Sequence, residues 1–515
     1  MINRLSVWFG RLISSPRGFH AFIGLYLAVT FVVRTALFPG ASTDDSEQLL
    51  FSQSFAWGYE LGNPPLITWL VIASHQIFGV SIAATEAVKF LMLLLTYSLL
   101  FFSARRILGD GLAAAVSALS FLAIYFFAWE FVVNFSHTVM LSAFCVGLFY
   151  TLLRLEDRPD WPAYVALGAV LGFGFLSKYS FAMFALSLTA AALMDARLRV
   201  RLMDWHIFLT LAIALVIFLP HGAWMVAGAE GIDEVLRDRL KISGPGAGYG
   251  ADLAKGLGQF AIALLEFPSP WMLLALAFFW RALGPLRVSG GETARYRRLL
   301  GIQLGLLVIL LLVPTFALSA THFRTSYMLS LILLPLYFFT RVVACPGSGK
   351  SLARFALVLV MVGAVVPVML VFKFVTEPGG CKRCYFHVPY AEIAGELRKA
   401  GFARGTIITR SHAHAISGNL RPYFPDSRII STTYRRYRPP RLSAAGPCLL
   451  IWPMTGGRRT ERRKRRLINS AKILLGVDID PATKVRTITR RLAMSESRRV
   501  HYQYIIARGG AGDCR

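Results

Sequence analysis

Residues 19–38 read "FHAFIGLYLAVTFVVRTALF". A helix needs about 20 residues to cross a hydrocarbon core, and this mostly apolar run has that length. It is too long for the apolar stretch of a cleavable signal peptide, and Arg4, Arg11 and Arg17 precede it. We read it as a first transmembrane helix with its basic tail in the cytoplasm. The whole chain agrees. Over 515 residues the mean hydropathy is +0.55, with 55% hydrophobic and 16% charged residues, which fits a polytopic membrane protein.

Further apolar segments lie at 81–103, 110–128, 136–153, 161–177, 180–194, 205–221, 270–284, 299–318, 326–342 and 355–375. With the first, they predict about eleven transmembrane helices. Basic residues choose the sides. Arg105–Arg106, Arg154, Arg158, Arg197, Arg199, Arg201, Arg287, Arg295, Arg297, Arg298, Lys350 and Arg354 fall on one set of connections. The opposite short connections are poor in them, so the basic set is cytoplasmic. Loops 39–80 and 222–269 and everything after Val375 then share the outer face. Residues 1–375 form the transmembrane module.

Residues 376–515 lose the apolar pattern. They mix helix-like "YAEIAGELRKAGF" with strand-like "GTIITR", "SRIISTTY" and "CLLIW", so a periplasmic α+β domain is expected. It holds 28 Lys and Arg against 9 Asp and Glu, and supplies most of the chain's net charge of +27. The run "RRTERRKRR" (458–466) reads either as a solvated flexible loop or as a contact for anionic lipid or glycolipid headgroups. Nucleic acid is excluded as a partner by the location. Cys381, Cys384, Cys448 and Cys514 also lie in this oxidising compartment. "CKRC" reads as a structural disulfide, a redox pair or half a zinc site with His387, His412 and His414; the disulfide is the simplest, with partners undetermined. Cys145 and Cys345 pack in or beside spans.

The chemistry concentrates just after the first span, in "TDDSEQLLFSQSFAWGYELGNPPLITWL" (43–70). Carboxylates are costly inside lipid, so Asp44, Asp45 and Glu47 mark a wet interface. They either solvate the loop or do chemistry. The aromatic-rich stretch that follows is too polar to span. It reads as an interfacial helix started at Pro64–Pro65 and lying on the bilayer.

The acidic pair, the aromatic-Gly-Tyr ending at Tyr59, the "PPL" and the Trp resemble the first external loop of family-39-type glycosyltransferases. These belong to the membrane-embedded GT-C class, with protein O-mannosyltransferases and lipid A aminoarabinose transferases among them. "GAVLGFGFLSKYS" (168–180), "FLPHGAWMV" (218–226) and "RTSYMLSLILLPLYF" are similar to further motifs of that family. The resemblance implies transfer of a sugar from a polyprenyl-phosphate donor to an envelope acceptor, usually with inversion. The acceptor would be lipid A, lipopolysaccharide core or another anionic glycolipid, with protein less favoured. The location implied is the outer face of a bacterial inner membrane. The resemblance also implies Asp44 as the catalytic carboxylate, with Asp45 beside it. An inverting transfer needs a carboxylate to take the acceptor's proton. The leaving phosphate needs cations, for which Lys178, Arg324 and His322 rank first, followed by Arg237, Arg239 and Lys241. Glu47, Tyr59, Asn63 and His137 are accessory candidates. Asn63 stands where aminoarabinose transferases carry Lys, and His137 where many relatives carry Asp. "KISGPGAGYG" (241–250) reads as a lid or a linker, with Glu266 beside it. A divalent ion near Asp44 has no recognisable ligand set. A transporter or flippase of lipid-linked sugars is the alternative from another class; carboxylates clustered at one face and the absence of a clear repeat weigh against it.

Overall fold

The computed structural model describes residues 2–134, 136–228, 248–284, 291–318, 320–381, 384–410, 415–434, 436–444, 446–454, 456–477, 479, 483–507 and 514. Arg237, Arg239, Lys241, His412, His414, Arg287 and most of the expected lid lie outside them. A helical body carries a five-stranded sheet at one end. By length and composition, six described helices can cross a membrane: Pro16–Leu37, Ile82–Leu108, Ser136–Asp157, Ile207–Ala227, Glu292–Leu318 and Ser348–Gly380. Two bent pairs, Phe181–Met194 with Ala196–Leu202 and Thr325–Leu331 with Leu334–Val342, raise the number to eight. Leu66–Phe78, Gly111–Ala123 and Trp161–Ser177 are apolar but shorter. Shorter helices, Gly111–Ala123 and Trp161–Ser177 among them, account for the difference from the expected eleven.

The Ile82–Leu108 helix is 27 residues long, roughly 40 Å at 1.5 Å per residue. Its ends therefore mark the two ends of the body. Near its C-terminus the basic connections form one charge network. Arg106 pairs with Asp157 (2.6 Å), Arg295 with Glu156 (2.5 Å) and Asp195 (2.8 Å), and Arg197 with Glu292 (2.5 Å). Near its N-terminus sit residues 39–65 and the sheet domain.

The sheet order is β2-β1-β3-β5-β4. β1 (Thr406–Thr409), β2 (Arg428–Ser431) and β3 (Cys448–Pro453) are the three expected strands and run parallel. β4 (Arg486–Arg491) and β5 (Arg499–Ala507) add an antiparallel edge that was not expected. One face of the sheet (Ile408, Ile430, Leu450, Trp452) is covered by Leu467, Ala471 and Leu475. These belong to the Gly457–Leu475 helix, so "RRTERRKRR" is the first half of a helix rather than a flexible loop. Its apolar side chains recur every four residues and seat it on the sheet, while its arginines face solvent. Disulfides join Cys381 to Cys384 and Cys448 to Cys514, which takes "CKRC" out of any zinc site.

The other face of the sheet corrects the reading of the first loop. Leu50, Phe51 and Tyr59 belong to the same core as Ile393, Ile407, Ile429, Leu449 and Ile451. The helix expected from Pro64–Pro65 forms, as Leu66–Phe78, and packs on Val88, Met140 and Leu176, whereas Phe51 and Tyr59 before it join the sheet domain. Gln53 completes the graft. Its side-chain amide donates to the Ile429 carbonyl (2.9 Å) and accepts from the Ile429 N–H (2.7 Å), pairing with the open edge of β2. Tyr437 donates to the Phe51 carbonyl (3.0 Å), and the Ala41 N–H donates to Asn419 Oδ1 (2.7 Å).

Gly418 sets how closely the two units approach. It lies in the Ala415–Leu420 helix, and a Cβ there would overlap the Ser46 carbonyl. Gly418→Ala is therefore expected to destabilise the protein by about 2 kcal/mol. The check is the thermal midpoint in detergent, with Gly395→Ala, where a Cβ meets nothing, as the control.

Candidate active site

The carboxylates sit on a short helix, Thr43–Phe51, started by Ser42, whose hydroxyl accepts from the Asp45 N–H (3.2 Å). The helix presents alternating faces. Leu50 and Phe51 enter the sheet domain's core, while Asp44, Asp45, Glu47 and Gln48 meet the ends of the transmembrane helices.

Asp45 is consumed by structure. It accepts from Ser42 Oγ (2.6 Å) and Ser136 Oγ (2.8 Å) and pairs with Lys89 (3.2 Å). Lys89 also meets Glu86 (2.8 Å), which meets Arg34 (3.0 Å), and all four side chains are at most 1% exposed. Burial alone would raise the Asp45 pKa, but Lys89 and the Ser42 hydrogen bond outweigh it and hold the carboxyl below its usual range. Arg34 also lies over Phe38 and Phe386 (5.3 and 4.8 Å). Asp45 thus pins the helix; it is not available to take up a proton.

Asp44 is different. It is half-buried, and its N–H donates to Asn134 Oδ1 (3.4 Å). Burial and the Asp45 charge raise its pKa against the opposing pull of His137, Lys178 and Lys89. A carboxylate with raised pKa, beside Lys178, suits proton uptake. Lys178 follows the Trp161–Ser177 helix, and its Nζ donates to Thr138 Oγ1 (2.8 Å). It is held there because Gly168 lets that helix press against Ile207–Ala227; a Cβ would come within 2.6 Å of the Thr210 carbonyl. His221, in the "FLPHGAWMV" motif, ties the same corner together. Its Nδ1 donates to the Trp57 carbonyl (2.7 Å), and Tyr179 donates to its Nε2 (3.1 Å). His137 Nε2 lies 3.1 Å from Gln48 Nε2 and 3.8 Å from Glu47 Oε1.

The structure therefore gathers Asp44, Asp45, Glu47, His137 and Lys178. Asn63 instead donates to Glu60 (2.6 Å), and Tyr59 is buried with its hydroxyl on the Ser54 carbonyl (2.9 Å). His322 and Arg324 meet each other (3.5 Å) next to Thr325, which donates to Glu266 (2.5 Å). Two participants were not anticipated. Lys89 carried a signal, a Lys three residues after a Glu inside an apolar helix. Tyr434, which donates to Glu47 Oε2 (2.6 Å) from the sheet domain, carried none. Among the described residues no three His, Cys, Asp or Glu side chains converge to hold a metal ion, and Asp45 is spent on Lys89 and two serines. The described residues do not fit a divalent ion here, and no step below runs through one.

The sequence pattern of the dolichyl-phosphate-mannose-protein mannosyltransferase family matches residues 62–224. Over 441 residues the chain is 32% identical to the lipopolysaccharide core galacturonosyltransferase RgtB of Rhizobium johnstonii, covering 85% of this chain and 87% of that protein. The chain belongs to this family of GT-C glycosyltransferases. A second relative of the transferase, the lipopolysaccharide core galacturonosyltransferase RgtA of the same organism, is 29% identical over 440 residues, 84% of this chain and 85% of that one. ArnT from Cupriavidus metallidurans, solved bound to undecaprenyl phosphate, shares the fold. The TM-score is 0.59 at 16% identity, over 94% of this chain and 98% of that one. The transferase is thus a multi-pass membrane enzyme, and the transporter reading of its sequence gives way.

Proposed function

We propose that the transferase moves a galacturonosyl residue from a polyprenyl-phosphate donor to the core saccharide of lipopolysaccharide. The names of the two relatives support the sugar and acceptor, and the ligand of the ArnT structure supports the donor. The observation that carries the reaction is Asp44, half-buried and within the electrostatic reach of Lys178 and His137. The acceptor hydroxyl attacks the anomeric carbon, and Asp44 takes its proton. The C1–O bond to phosphate breaks, and its electron pair leaves on the polyprenyl phosphate. Lys178 binds that phosphate. Attack opposite the leaving group inverts the anomeric centre.

We infer that the shorter apolar helices complete about eleven crossings. This places the N-terminus in the cytoplasm, and residues 376–515, with the active site, at the periplasmic face. The shared network of Arg106, Arg197 and Arg295 at the other end of the body supports that orientation.

The test is the purified protein in vesicles with polyprenyl-phosphate galacturonate and lipopolysaccharide core. Transfer of the label to the core is expected, and donor that crosses the bilayer unbroken would sink the reading. In the same assay Lys178→Ala is expected to raise the donor KM by 10-fold or more, on the order of 1.4 kcal/mol for one lost charge-assisted contact. Unchanged KM would remove Lys178 from the phosphate site.

A further inference from the structure

The sheet domain reaches the catalytic corner through Tyr434 and Tyr437, which follow β2. The two tyrosines do different things. Tyr437 bonds to backbone and to a serine: its hydroxyl lies 3.0 Å from the Phe51 carbonyl and 3.1 Å from Ser54 Oγ. Tyr434 bonds to a carboxylate: its hydroxyl donates to Glu47 Oε2 at 2.6 Å, while Glu47 Oε1 faces His137 Nε2 at 3.8 Å. Both rings pack edge-on against Phe51, at 4.7 Å for Tyr434 and 5.2 Å for Tyr437. The two phenols therefore contribute similar packing, and what sets them apart is the group each hydroxyl holds.

Glu47 lies one helical turn after Asp44, on the same side of the Thr43–Phe51 helix. The charged and titratable groups around it come from several elements. His137 comes from the Ser136–Asp157 helix, Lys178 from the end of the Trp161–Ser177 helix, Glu60 from the first loop, Asp44 and Asp45 from its own helix, and Tyr434 from the sheet domain. A neutral phenol among three carboxylates (Glu47, Glu60 and Asp44) is suited to donate a proton to hydrogen bonding and not to lose it; burial and Glu47, then Glu60, raise its pKa far above the ordinary range.

Resting on the transferase reading above, we propose that Tyr434 is a positioning residue of the active site: its hydroxyl holds Glu47 in the rotamer that faces His137, so that transfer requires the sheet domain to be seated. The short charge-assisted bond to one carboxylate oxygen leaves the other directed at the imidazole. His137 lies within electrostatic reach of Asp44, so an unanchored Glu47 disturbs the surroundings of the proposed base. The domain is then a working part of the enzyme.

The experiment compares Tyr434→Phe with Tyr437→Phe in the full-length enzyme, in vesicles with polyprenyl-phosphate galacturonate and lipopolysaccharide core. Tyr434→Phe is expected to lower kcat by about 10-fold, with donor KM within twofold, and to move the acidic limb of the kcat profile to higher pH. The sign follows from Glu47, which keeps its negative charge less readily without the donor. Tyr437→Phe loses a longer bond to a backbone carbonyl (3.0 Å) and is expected to lower the thermal midpoint while keeping kcat within twofold and the pH limb in place. Glu47→Gln combined with Tyr434→Phe is expected to be no slower than Glu47→Gln alone, because both act through one carboxylate. Equal losses of kcat in the two tyrosine variants, tracking their midpoints, would overturn the proposal. So would a multiplicative effect in the double variant. A failure of this kind leaves wild-type transfer and the role of Asp44 standing, whereas absent wild-type transfer would defeat the parent reading.

Discussion

Asp44→Asn is expected to lower kcat by about 10³-fold while the protein stays folded. Asparagine keeps the size and the N–H bond to Asn134 but cannot take the acceptor's proton. Its neighbours support the assignment. Asp45 is pinned by Lys89, Ser42 and Ser136, and Glu47 is held by Tyr434, while burial and the Asp45 charge raise the pKa of Asp44. That pKa has a consequence of definite sign. Transfer needs the ionised form, so the acidic limb of kcat/KM is expected above the range of an ordinary aspartate. The measurement is single-turnover transfer against pH, with the thermal midpoint as the control for folding. A variant that transfers sugar at the wild-type rate would remove Asp44 from the mechanism.

The largest effect on stability is expected from Lys89→Met. Lys89 meets two buried carboxylates, Asp45 (3.2 Å) and Glu86 (2.8 Å), each at most 1% exposed. Removing the shared cation leaves negative charge uncompensated in a low-dielectric site, which costs about 3–5 kcal/mol. That is a large part of the 5–15 kcal/mol by which proteins are typically stable. The expected result is a protein recovered poorly from membranes, with a sharply lowered midpoint. Asp45→Asn combined with Lys89→Met restores neutrality and leaves Arg34–Glu86 intact, so it is expected to recover more than half of the loss. Acid is expected to destabilise the wild type as Asp45→Asn alone would, by taking one partner from Lys89. The depressed pKa of Asp45 means its contribution is complete above the ordinary carboxylate range and fades as pH falls through its folded value. If the double variant is as unstable as the single, the cost comes from packing and not from charge.

Much of this enzyme is legible one segment at a time. Apolar length marked the spans, and basic connections converged on one end, where Arg106, Arg197 and Arg295 do meet acidic partners. The strands at 406, 428 and 448 were visible because each is a short run of β-branched and aliphatic residues. β4 was not, because "RTITRR" has too many arginines to show alternation. The Gly457–Leu475 helix was obscured by its charge, since its buried stripe needs only Thr460, Leu467, Ala471 and Leu475. Asp44, His137 and Lys178 could be singled out, as each is a costly polar residue at a span end. Tyr434 could not be. Its meaning lies in Glu47, which is 387 positions away in the chain.

That separation matters while the protein is being made. Gln53 and its backbone partner Ile429 are 376 residues apart, and Leu50, Phe51 and Tyr59 are core residues of a domain whose strands are synthesised last. At roughly 5–20 residues per second, a ribosome spends about 20–80 seconds between making the two halves of that core. Throughout that interval Leu50, Phe51 and Tyr59 are without the strands that bury them. A chain that ends between Tyr59 and β1 therefore carries these apolar side chains without the strands that bury them.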